Sequence, residues 1–192
     1  MQKIGTVAFV QIQRYSMKQV VNDDKRYDTT PLQKVDKLWL TDTGIMGIAD
    51  DTVMVDVHNV NHPGSRYRGD NKISFGFLQN YVAMRDKFGS HLVDGIAGEN
   101  IMIDVEAELP SDILDKTWIL ENADGTQLAF KAVIPAPPCR EFSIFCAQAV
   151  IGGAELKATL QFLGDGRRGY YAELAQADST AYVHVGDTLY LA

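Results

Sequence analysis

Cys139 stands in "APPCREF" (Ala136 to Phe142), behind a Pro-Pro step and directly before Arg140, and it is one of two cysteines in the chain. The thiolate is the nucleophile and soft-metal ligand of cysteine chemistry, and helix N-termini and fixed positive charges favour it. The prolines of "PAPPC" hold the approach extended, and "REFSIFC" suits a short helix beginning near Cys139. The free N–H groups of its first turn and the Arg140 guanidinium would then act together on the sulfur. Cys146 follows seven residues later. On a helix that is about two turns, a rise of roughly 10 Å, whereas a disulfide needs Cα atoms within about 7 Å. Among Phe142, Phe145 and Val150 it reads as a small buried hydrophobe. A Pro-rich turn that merely ends in cysteine accounts for the Cys139 stretch equally well.

Three further stretches could join it. His58 and His62 have the H-x-x-x-H spacing that faces one way on a helix, and with Cys139 they could form a zinc site. Asn59, Asn61, Pro63 and Gly64 argue for a loop instead. "GENI" places Glu99 and Asn100 at a strand entrance after Gly95 and Gly98, where they could orient a polar ligand. Alternatively Asn100 satisfies its own turn and Glu99 is solvated. "GDGRRGY" brackets Arg167 and Arg168 with glycines, and two guanidiniums beside open backbone N–H groups suit a phosphate or carboxylate. The plainer account is a hairpin tip with solvated arginines. Arg66, Arg68 and Lys72 add positive charge to the loop from His58 to Lys72. Their concentration in Gly- and Pro-rich loops around one primed thiol points to an anionic ligand with a soft, thiophilic centre.

The elements that must position these residues are mostly strands. "KIGTVAFVQIQ" puts Ile4, Thr6, Ala8, Val10 and Ile12 on one side of an extended segment, and "VDKLWL" and "TVMVDV" read as two more strands. His58 to Lys72 reads as a long loop, of the kind that is often functional. "FGFLQNYVAMRDKF" spaces Phe77, Leu78, Tyr81, Val82 and Met84 helically and closes at Gly89. "GENIMIDV" returns to strand, and "TWILENADGTQLAFKAVI" predicts a hairpin turning at Asp124-Gly125. In "LKATLQFLGDGRRGYY", Leu156, Ala158, Leu160 and Phe162 alternate with polar residues, which predicts strand with a turn at Asp165-Gly166. "AYVHVGDTLYLA" predicts two short strands around Gly186-Asp187. The expected class is mainly β: a closed or strongly curved barrel with a few short helices, α+β by content, in one domain spanning 1–192.

The totals set limits. With 46% hydrophobic residues among 192, the chain can build a core without metal or disulfide staples. A formal net charge of -7 argues against nucleic acid or an anionic membrane as partner, while leaving room for a local basic pocket. Two cysteines make no disulfide framework, and "IGTVAFV" is too short to span a bilayer, so a cytoplasmic protein is expected.

The loop from His58 through Arg66 and Arg68 to "NKISF", then "DGIAGENI" (Asp94 to Ile101), then "PPCREFS" (Pro137 to Ser143) together resemble the MOSC domain. This is the C-terminal module of molybdenum-cofactor sulfurases and of related stand-alone proteins; "GDTLYL" fits it more loosely. The resemblance implies a β-barrel that binds the molybdenum cofactor (molybdopterin), a pterin with a phosphate, a dithiolene and a molybdenum centre. It maps the family's cysteine onto Cys139, as a catalytic persulfide sulfur carrier or a molybdenum ligand. Glu99 and Asn100 would orient the site, and Arg66, Arg68 and Arg140 would hold phosphate or pterin. His58 or His62 takes the family's histidine place; the Gly-Asp usually ahead of it is displaced here to Asp50 and Asp51. An anion-binding role for Arg167 and Arg168 is read from their turn, outside the matched motifs. A molybdoenzyme or a cysteine desulfurase would be the partner, and pyridoxal phosphate would belong to that desulfurase. A delivery module that binds the cofactor without chemistry at the thiol is the alternative.

Overall fold

The computed structural model describes residues 1–106, 108–176 and 181–192. The chain opens with a long strand, β1 (Gln2–Gln13), then a hairpin of β2 (Lys18–Val21) and β3 (Asp24–Tyr27). β4 (Leu32–Val35), β5 (Lys37–Thr41), β6 (Gly44–Ala49) and β7 (Thr52–Val55) follow, and a loop over 56–72 leads to β8 (Ile73–Phe77). Helix α1 (Leu78–Phe88) and the loop after it cross to β9 (Ile101–Val105). β10 (Trp118–Glu121) and β11 (Gln127–Pro135) form the predicted hairpin. Helices α2 (Arg140–Ala147) and α3 (Gly153–Leu163) precede β12 (Tyr170–Leu174), β13 (Tyr182–His184) and β14 (Thr188–Leu191).

Seven strands close into a barrel in the order β1, β14, β10, β11, β12, β8, β9 and back to β1. Closure removes the unpaired edges that an open sheet would expose. Within this ring only β8 and β9 run parallel, with Phe75 opposite Ile101. A parallel pair needs a crossover connection, and α1 with the loop to Asn100 supplies it. β4 adds to the outer part of β1, while β13, β5, β6 and β7 form a second sheet. Thus the two strands around Gly186-Asp187 exist, but β13 pairs with β5 and β14 with β1 and β10.

The barrel is filled by side chains. Phe75 meets Trp118 at 5.2 Å and Phe130 at 5.0 Å between ring centroids, both edge-on, as ring quadrupoles favour. Ile73, Phe75 and Phe77 of β8 point into this core, so Ser74 and Gly76 between them face outward. On that outer face a second apolar cluster forms, with Tyr81 and Met84 of α1, Met102 of β9, and Phe142 and Cys146 of α2. It fixes both helices to the wall.

Three expectations need correction. β1 does not keep one face inward: Ile4, Val7, Val10 and Ile12 are buried, whereas Thr6 and Ala8 are only partly so. A bulge between Val7 and Phe9 adds a residue to the strand and reverses the alternation there. Residues 153–163 are helix, not strand. Leu156, Leu160 and Leu163 are alternately spaced only in part; they also fall at i, i+4 and i+7 with buried Thr159 at i+3. Ala, Leu, Glu, Lys and Gln around them are strong helix formers and decide between the two periods. In the first helix Phe77 belongs to β8, and Val82 is 52% exposed rather than on the apolar stripe.

Candidate functional site

A cleft of about 720 Å³ lies against the outer face of the barrel wall. Its floor is made by the outward-facing Gln13 of β1, Ser74 of β8 and Tyr171 of β12. The 56–72 loop, the β2–β3 hairpin, the residues before β9 and the start of α2 rise around it. Five lining side chains are Lys or Arg (Lys18, Lys25, Arg66, Arg68 and Arg168), and Glu99 is the one carboxylate. In a chain of net charge -7 this is a strong local reversal. Low-dielectric walls around such a cluster concentrate anions.

The loop over 56–72 is ordered by its own short polar residues. Asn59 Oδ1 accepts the Asn61 N–H at 2.9 Å, and Asn71 Oδ1 accepts the Arg68 N–H at 2.8 Å. The Asn71 amide donates to the Arg66 carbonyl at 3.1 Å, and the Arg66 N–H donates to Val57 O at 2.7 Å. These side-chain-to-backbone turns hold Arg66 and Arg68 over the cleft. His58 also lines it. His62 does not: its Nε2 lies 3.0 Å from the Arg14 carbonyl and its Nδ1 accepts the Gly64 N–H at 3.0 Å. The two histidines therefore do not share a face. Among the described residues no three His, Cys, Asp or Glu side chains gather as metal ligands, so the His58–His62–Cys139 zinc site is not formed.

Glu99 lines the cleft, 4% exposed, and accepts the Tyr81 hydroxyl at 2.7 and 2.9 Å from its two oxygens. Burial raises its pKa to about 7; the Tyr81 hydrogen bond and the Arg168 charge oppose this without overcoming it. It is not a solvated loop residue. Asn100 is buried behind the lining, not in it. Its side chain joins Ser74, Gln11 and Asp56, so it braces the wall behind the lining. Gln11 and Gln13 of β1 also grip this segment: their amides donate to Gly95 O at 2.7 Å and Gly98 O at 2.9 Å. Gly98 has φ +95°, and a Cβ there would lie 2.5 Å from Gln13 Nε2. Only glycine fits both demands.

Cys139 is the N-cap of α2, with extended backbone (φ −120°, ψ 158°), as the Pro-Pro approach predicts. Its carbonyl accepts the Ser143 N–H at 3.0 Å and the Ser143 hydroxyl at 2.9 Å. The sulfur makes no cap hydrogen bond and lines the cleft, partly exposed. Glu141 approaches from the first turn. Its burial works against ionisation, but its own N–H, Lys18 (3.4 Å) and a hydrogen bond from the Cys139 thiol hold its pKa below the usual value. Cys146 is fully buried, and burial pushes its thiol up to about 12. Both cysteines are free.

Arg140, expected beside the thiol, is exposed and outside the lining. Arg168 takes that place. Although burial disfavours its charge, Tyr171, Tyr27 and Cys139 around it more than restore it. Its guanidinium donates to Ala97 O at 3.2 Å and to the Tyr171 hydroxyl at 3.4 Å, and its buried Nε–H has no partner among the described residues. Arg167 points the other way, onto the Phe162 ring at 4.3 Å, and donates to the Phe162 carbonyl. The two arginines of "GDGRRGY" thus split between cleft and surface. Lys72 donates to Asp42 O at 2.6 Å and is also outside.

Sequence reasoning missed the β2–β3 hairpin, which brings Lys18, Lys25 and Tyr27 to the site. Tyr27 packs on Phe142 at 5.1 Å and Phe145 at 5.2 Å and donates to Ile96 O at 3.2 Å. "VNDDK" between two short apolar-polar runs was its signal, and Asn22 and Asp23 adopt the positive φ of such turns. Also missed was Asp56, two residues before His58 in "DVH".

Barrel, outer-wall cleft, cation cluster and partly exposed thiol define a β-barrel protein with a cation-lined cleft. No protein-family model matches the chain, and no curated protein matches it. Among solved structures it is similar to the YUAD protein from Bacillus subtilis, at 14% identity and a TM-score of 0.56. That match covers 97% of this chain and 94% of the other, and it supports the fold. No helix among the described residues is long and apolar enough to cross a membrane.

Proposed function

We propose that this chain is a MOSC-type protein that binds the molybdenum cofactor, with Cys139 as persulfide sulfur carrier or molybdenum ligand. The observation that carries the reading is one lining: five Lys or Arg side chains and a partly exposed thiol share a cleft in an acidic chain. The donor set suits that cofactor. Arg66, Arg68 and Arg168 would hold a phosphate, and the unpartnered Arg168 Nε–H is a donor in want of an acceptor. Gln13, Ser74 and Tyr171 offer hydrogen bonds to a polar heterocycle. The described residues group no ligand set for a bare ion, which suits a metal that arrives already held by sulfur and adds one thiolate. When bound, the cofactor would supply the redox metal and its sulfur ligands; the chain binds it, excludes water and presents the Cys139 sulfur. A cysteine desulfurase would be the natural donor if the thiol carries sulfur.

The test is molybdenum and pterin content after purification from a host that makes the cofactor, for wild type and Cys139→Ser together. Metal and pterin in wild type, with metal lost from the variant, support ligation by Cys139. Pterin retained equally in both moves the sulfur-carrier or delivery role ahead. If neither protein holds either component, the cofactor reading fails.

A further inference from the structure

The cleft holds a group able to move a proton besides its thiol. Asp56 is completely buried and faces four nitrogen atoms. Its Oδ2 accepts the Gln13 N–H at 2.7 Å and the Asn100 amide at 3.1 Å. Its Oδ1 accepts the His58 N–H at 2.8 Å and lies 3.1 Å from His58 Nδ1. The Asn100 amide is oriented independently, because its Oδ1 accepts the Ser74 hydroxyl at 2.7 Å and its Nδ2 also donates to Gln11 O at 3.2 Å. Three of the four neighbours can therefore only donate. Among three obligate donors an ionised carboxylate acts only as acceptor, and this favours the tautomer with its N–H at Nδ1. A neutral imidazole with its hydrogen on Nδ1 carries a lone pair on Nε2. The ring lines the cleft, and Nε2 has no protein partner among the described residues.

From this geometry we infer that His58 Nε2 is a proton acceptor for the ligand of the cleft, and that Asp56 is its positioning residue. The inference deepens the anion-site reading above and rests on it for the ligand, though not for the state of the ring. The ligand class it suits is a phosphate monoester, whose second proton leaves near pH 6. The O–H bond of the P–OH group breaks, its electron pair stays on oxygen, and the proton passes to Nε2. The product is a dianion between His58 and the arginines of the same loop, with Asp56 stabilising the imidazolium. No oxidant or further reactant is needed.

Long-range 1H–15N correlation of ring-labelled histidines reads the tautomer directly, with His58 assigned by its loss in His58→Gln. The expected result in wild type is hydrogen on Nδ1 and none on Nε2, with the preference lost in Asp56→Asn. Hydrogen on Nε2 in wild type overturns the inference, even if the variant does not fold. Diethyl pyrocarbonate acylates an unprotonated ring nitrogen and needs no bound ligand. His58 should react several-fold more slowly in Asp56→Asn, because a carboxylate on the other ring nitrogen orients the imidazole and raises its basicity; equal rates count against the inference. Saturating inorganic phosphate should shield His58 from the reagent, and no shielding removes its contact with the anion. A protein without molybdenum or pterin but with the Nδ1–H tautomer and phosphate shielding would overturn the cofactor reading alone.

Discussion

At the scale of single residues, two thiols and one carboxyl show how far environment overrides type. Cys139 caps a helix at the rim of a cleft, whereas Cys146, two turns later, is sealed among Tyr81, Met84 and Phe142. A limiting dose of iodoacetamide on native protein should therefore label Cys139 and spare Cys146, and Cys139→Ser should remove nearly all label, read by peptide mass. Label on Cys146 would contradict the packing. Glu99 is the second case. Its folded pKa is about 7 against 4.5 for an ordinary glutamate, because burial penalises the charge. The raised value means that its contribution is complete below pH 4.5 and is lost as pH rises through 7. The loss amounts to about 3 kcal/mol for a shift of this size. Glu99→Gln cannot ionise, so its stability relative to wild type should rise by about that much between pH 5 and pH 8.5, measured by urea unfolding. A difference that does not change with pH would show that Glu99 titrates normally.

At the scale of elements, the site depends on how short segments are clamped. The β2–β3 hairpin is held to α2 chiefly by Tyr27 against Phe142 and Phe145, with Lys18 reaching Glu141 at the surface. Tyr27→Ala should cost about 3 kcal/mol, typical of a lost buried aromatic, and, if the proposed anion site holds, should weaken binding of inorganic phosphate by freeing Lys18 and Lys25. Calorimetry and urea unfolding check the two parts separately. The turn before β9 is clamped by Gln11 and Gln13. Gly98→Ala meets Gln13 at positive φ and should destabilise by roughly 2 kcal/mol, most of it strain. An unchanged unfolding midpoint would mean that the turn relaxes freely.

At the scale of the molecule, closure joins the two ends of the chain. β14 bridges β1 and β10, with Gln2 opposite Leu191 and Trp118 opposite the same residue on the other side. Removing residues 186–192 should open the barrel, leave Trp118 exposed and abolish cooperative unfolding, visible in a thermal melt and in tryptophan emission. The charge pattern acts at this scale too. If the five Lys and Arg side chains of the cleft hold an anion as proposed, they act by Coulomb attraction, which salt screens. Affinity for inorganic phosphate should then fall severalfold from 0.05 to 0.5 M salt, and Arg66→Glu with Arg68→Glu should remove most of it. Binding insensitive to both would move the anion site elsewhere.

The amino-acid order determined what is local. Period and turn chemistry placed β1, β9, the first helix and the Asp124-Gly125 hairpin, and the Pro-Pro step with its helix start placed Cys139 as an N-cap. Residue types in the 56–72 loop and in "GENI" marked Arg66, Arg68, His58 and Glu99. Tertiary structure decided what depends on partners distant in sequence. A one-residue bulge, set by pairing with β9, chose the inward face of β1. Helix α3, by contrast, was local too: its apolar run fits two periods, and the strong helix formers around it choose one. Of two adjacent arginines, the turn before β12 sent Arg168 to the cleft and Arg167 to Phe162. His58 rather than His62 faces the site because Asp56, itself pinned by Gln13 and Asn100, turns its ring. Spacing along a chain fixes which residues can share a strand or a turn, but facing and burial belong to contacts that only the closed barrel creates.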